Sequence, residues 1–169
     1  MTDFFNKTDL SRNDAEKIIS ETLNNCDDGE LYLENSKSES IVLDDGKIKN
    51  STYSSDLGYG LRAVTGEVVA YSHSNEISKN SLKQSADNLS STLKSKKGFY
   101  NHEIPKTNEQ FYKNINPIEE KSLQSKLELL KEVNNYTRAK SGIVQQVTAS
   151  FSGEHKSIEI IRSGGEVLT

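Results

Sequence analysis

Between residues 12 and 26 the apolar positions Ala15, Ile18, Ile19 and Cys26, joined by Thr22, fall on one side of a 3.6-residue period and predict a first helix. Ser11 supplies an N-cap oxygen, Asp14 stands in the capping-box place, and Asp27-Asp28-Gly29 ends the run. The pattern then predicts short strands at residues 31–34, 39–43 and 48–54. Asp44-Asp45-Gly46 makes the tight turn between the last two, since Asp and Gly tolerate the positive φ of such hairpins. Two further strands, 57–64 and 67–73, join around Gly66.

Helical spacing returns after Ser78. Leu82, Ala86, Leu89 and Leu93 form an apolar stripe, Ile77 and Leu82 suit a hydrophobic staple, and Gly98 is a natural stop. A third helix starts at Asn116, with Pro117 at N1 and Glu119 in the capping-box place. Leu123, Leu127, Leu130 and Val133 are its expected buried face, fading near Ala139. Strands are expected at 143–152 and 157–162, with Glu154-His155 in the hairpin turn between them. Ser163-Gly164-Gly165 then turns into Val167-Leu168, a strand expected to continue past Thr169. The order predicts an α+β fold with a mainly antiparallel sheet and three helices. By chain order, residues 1–98 form an N-terminal α+β lobe and 99–116 a linker or surface excursion around Pro105. Residues 117–169 hold a helix and the truncated start of a second sheet.

Composition narrows the classes. Of 169 residues, 33% are hydrophobic and 27% charged, lean enough that part of the chain is expected to lie open or against a partner. A net charge of −4 gives no general attraction to nucleic acid. No apolar run approaches a membrane span, the first residues carry no secretory pattern, and the lone Cys26 excludes an internal disulfide. A cytoplasmic setting is expected.

Candidate chemistry is sparse. The histidines, His73, His102 and His155, are scattered. His102-Glu103 opens like a zincin helix, but Lys106 and Thr107 stand where a second histidine is needed and Pro105 breaks the helix. Cys26 lies on an apolar helix face, the setting of an inert buried thiol. Gly58-Tyr59-Gly60 lacks the third glycine of a dinucleotide loop, with Ala63 in its place. The serines have no nucleophile-elbow context. The residues therefore nominate no catalytic or metal-binding side chain.

One strand stands out. At 57–64, Gly58, Gly60 and Arg62 share a face, opposite Leu57, Tyr59, Leu61 and Ala63. Two glycines on one side weaken a strand and invite a reason. Either they form a bare shelf for an approaching substrate or partner backbone, with Arg62 as anchor, or they mark a bend with Arg62 paired to a neighbour such as Glu39.

Three stretches together resemble the TldD family (TldD/PmbA) of zinc metallopeptidases. They are Ser38-Glu39-Ser40-Ile41-Val42-Leu43-Asp44-Asp45-Gly46-Lys47-Ile48-Lys49, Gly58 through Glu67, and Tyr71 through Ile77, with an echo from Gln146 to His155. The Ser-Glu-Ser hairpin followed by Gly-Leu-Arg-Ala-Val-x-Gly-Glu favours the TldD branch over TldE, also called PmbA. The resemblance implies a protein longer than this chain that works with a TldE/PmbA-like subunit on short or unfolded polypeptides. It implies zinc held by a His-Glu-x-x-x-His segment and a cysteine; none of these matches a position here, so no catalytic or metal residue carries over. The chain is then expected to be a non-catalytic N-terminal portion that shapes a substrate chamber and a partner contact, or to hold an extended peptide on an exposed strand. The rival reading is a non-enzymatic interaction module or inactive TldE/PmbA-like subunit. The family's older label, modulator of DNA gyrase, does not require DNA binding.

Overall fold

The computed structural model describes residues 4–6, 8–93, 98, 115–162 and 167–168. Of the expected excursion at 99–116, residues 99–114 lie outside the described residues, and so do His102-Glu103 and the Ser163-Gly164-Gly165 turn. Helix α1 (Arg12–Leu23) precedes strands β1 (Asp28–Asp44), β2 (Lys47–Thr65) and β3 (Val68–Ser74). Helices α2 (Lys79–Thr92), α3 (Pro117–Glu120) and α4 (Leu123–Lys140) follow, then β4 (Thr148–Arg162) and β5 (Val167–Leu168). The strands form a five-stranded sheet in the order β3-β2-β1-β4-β5, with β3 antiparallel to β2 and β5 antiparallel to β4. This is the expected α+β class.

Three boundaries differ from expectation for one reason: backbone pairing does not need side-chain alternation. The strands expected at 31–34 and 39–43 are one strand, β1, and those at 48–54 and 57–64 are one strand, β2. Their serine-rich middles stay extended because the ladder satisfies the main chain even where the side chains are wet. Likewise Glu154-His155 runs within β4 and makes no turn, while residues 143–147 precede the strand. The helix expected from Asn116 is two helices. Asn116 Oδ1 accepts from Ile118 N to start α3, and Lys121 is already extended (φ −115°). Ser122 then caps α4 by accepting from Ser125 N.

Packing groups the chain into two compact units. One comprises Met1–Asn35, Asp56–Tyr112 and Ser157–Thr169; the other comprises Ser36–Ser55 and Lys113–Lys156. These groups cut across the chain-order division at 98 and 117, and β4 and β5 belong to the same sheet as β1–β3.

In the first unit, Ser11 caps α1 as expected, and Ala15, Ile19 and Leu23 are buried. They pack with Leu31, Leu33, Tyr59, Leu61, Ala63 and Ala70 from the strands and with Leu82, Ala86 and Leu89 from α2. Ile77 joins this core ahead of Leu82, as a staple residue should. Tyr59 brings a hydroxyl inside, and Ser81 and Ser85, each at 2.9 Å, satisfy it. Glu159 is 1% exposed and held by Arg12 through two bonds of 2.5 and 2.9 Å.

In the second unit the turn is built as expected, with Asp45 at φ 48° and Gly46 at φ 76°, the left-handed pair of a tight hairpin. Ile41, Leu43, Leu130 and Ala149 form its core. The buried line of α4 is Lys126, Leu130 and Asn134, whereas Leu123 and Val133, expected inside, are 51% and 43% exposed. An ion pair explains this rotation. The Lys126 ammonium bonds to the Glu39 carboxylate and to the Ile118 carbonyl oxygen at 2.6 Å, with the Phe151 ring 5.6 Å away. Burying that cation turns the flanking apolar positions outward.

The pair is nearly dry, with side chains 5% and 10% exposed. Removing one partner strands the other, so Lys126→Met should lower unfolding free energy by about 3 kcal/mol, read from the urea midpoint. The double variant Lys126→Met/Glu39→Leu should recover most of it; a single variant as stable as the parent contradicts this account. Asp44 yields a pH prediction. Hydrogen bonds from Gln146 and Thr148, helped by Lys49, hold its carboxyl below 3.8. Its contribution is therefore fully present above about pH 4, its unfolded range, and lost as pH falls through the lowered native value. Asp44→Asn should narrow the gap in melting temperature between pH 5 and pH 3; an unchanged gap speaks against the assignment.

Candidate functional site

The face of the first unit's sheet opposite its core carries the residues singled out from sequence. Because Tyr59, Leu61 and Ala63 point into the core, the pleat turns Gly58, Gly60 and Arg62 outward. The same alternation on β1 buries Leu31 and Leu33 and places Asp28, Glu30, Tyr32 and Glu34 on the outer side.

Arg62 is held at both ends of its guanidinium. Nη2 donates to Asp28 Oδ2 at 2.5 Å and Nε to Glu30 Oε1 at 3.2 Å. Burial alone would lower its pKa, but the two carboxylates outweigh it and push the group further up. The expected partner Glu39 is elsewhere, committed to Lys126 in the second unit. Next along β1, the Tyr32 hydroxyl donates to Glu34 Oε2 at 2.7 Å. Burial first, then the carboxylate, push that phenol up to about 12, so it stays a neutral donor.

The glycines are not bare. The register sets Gly60 opposite His73 and Arg62 opposite Tyr71. A Cβ at Gly60 would lie 2.5 Å from Tyr71 Oη and 3.1 Å from its ring, so the phenol lies across that glycine. The Tyr71 and His73 rings stack, with centroids 5.8 Å apart at 26°. At Gly58 the neighbour is backbone, with the Ser74 carbonyl oxygen 2.7 Å from where a Cβ would sit. The backbone that lies against Gly58 is the chain's own β3 end.

The site is thus an acidic and aromatic sheet face: Asp28 and Glu30 around Arg62, with Tyr71 (63% exposed) and the exposed His73 beside it. It can orient a polar ligand or stack on a planar group, and nothing in it is placed as a nucleophile. Among the described residues no group of three or more His, Cys, Asp or Glu side chains converges on one point. His73 lies in the first unit and His155 in the second. Cys26 is buried, and burial pushes its thiol up, away from the reactive thiolate. Sequence reasoning singled out Arg62 without naming the neighbours the structure gives it, Asp28, Glu30 and Tyr71. The alternation of acidic and aromatic residues at 28, 30, 32 and 34 was the available signal.

Comparison with known proteins agrees with this architecture. Residues 29–93 match the family described as PmbA/TldA metallopeptidase domain 1. The chain is 34% identical over 144 residues to the metalloprotease TldD homolog of Buchnera aphidicola from Acyrthosiphon pisum, covering 85% of this chain. Its counterpart from Haemophilus influenzae is 33% identical over 147 residues, covering 83% of the chain. The chain spans 30% of the length of each of these relatives. The crystal structure of TldE from Thermococcus kodakarensis shares the fold at a TM-score of 0.65 and 14% identity, over 92% of this chain and 36% of that one. The chain belongs to the TldD/PmbA metallopeptidase family and carries its first, N-terminal domain.

Proposed function

We propose that this chain is the non-catalytic N-terminal portion of a TldD-like zinc metalloprotease acting on short or unfolded polypeptides. Its part is to shape the substrate chamber and to contact a TldE/PmbA-like subunit. The observation that carries the reading is the identity of about a third to metalloproteases over most of the chain. Zinc belongs to this reading through the family alone. The described residues offer no converging ligand set, so no hydrolytic step is assigned to them. Their task is positional: Arg62, fixed by Asp28 and Glu30, and the Tyr71–His73 stack present polar and planar groups to a polypeptide or subunit surface. A cytoplasmic setting suits that role, and no described helix is long and apolar enough to cross a membrane.

The two glycines separate this role from a merely structural one. At Gly60 the atoms in the way are the far end of a flexible side chain, so Gly60→Ala should fold normally and displace the Tyr71 phenol. At Gly58 a backbone oxygen must move, so Gly58→Ala should cost about 1–3 kcal/mol of stability. In the full-length enzyme assayed with its partner subunit on an unfolded casein substrate, Gly60→Ala and Tyr71→Ala should each lower kcat/KM several-fold at unchanged melting temperature. Wild-type rates in both variants, with normal partner association, would overturn the role assigned to this face. Absence of peptidase activity in the parent would instead favour the interaction-module reading.

A further inference from the structure

We draw no further inference here: the strongest candidate, the edge strand β3 with its exposed Val69 and Tyr71, is a surface patch for which nothing in the structure shows what covers it.

Discussion

The pleat of β1 and β2 is the constraint on which both faces of the first unit depend. Leu31, Leu33, Tyr59, Leu61 and Ala63 must point one way to close the core over α1 and α2. Asp28, Glu30, Gly58, Gly60 and Arg62 are thereby committed to the other side. A slip of one residue in either strand would bury Arg62 and its carboxylates and expose the leucines, so the core enforces the outer face. The candidate site is in this sense a by-product of packing. The hydrophobic core chooses which residues are outside, and the chemistry of those residues is what a ligand can meet.

Each unit also contains an ion pair whose carboxylate is largely withdrawn from water. Glu159 is enclosed and Arg12 reaches it from a more exposed position; Lys126 and Glu39 are both nearly enclosed. Such pairs add little net stability compared with apolar side chains of the same shape, because desolvation cancels most of the attraction. What they do is discriminate between arrangements, since any packing that separates the partners leaves a buried charge. In the second unit this orients α4: with Lys126 turned inward, Leu129 and Val133 come to the exposed flank. A polar contact in the interior thus decides which apolar residues remain at the surface.

Much of the fold was legible in the chain. Ser11, Ser78 and Asn116 each cap a helix where the sequence places the start. Asp45-Gly46 turns a hairpin because that dipeptide accepts two positive φ angles cheaply. The inward residues of β1, β2 and α2 follow from periodicity, and Arg62 with its two glycine neighbours was visible as an unusual strand face. The second start of α4 at Ser122 was missed because Leu123, Leu127 and Leu130 extend the helical pattern smoothly across the break. The continuity of β1, β2 and β4 was missed because serine-rich stretches with both faces wet carry no alternation to detect.

By itself, then, the sequence determined local conformation wherever the cause is local: caps, the hairpin turn, and the inward faces of β2, α1 and α2, though not that of α4, where Lys126 and Asn134 lie inside. It also determined family membership, through residues scattered over most of its length. Only the tertiary structure decided which charges meet. Arg62 pairs with Asp28 and Glu30 rather than Glu39, and Glu39 takes Lys126, because partner choice depends on which strands and helices come together in space. The same holds for Tyr71 lying over Gly60. These are contacts between residues far apart in the chain or set by register, and no periodicity along one dimension encodes them.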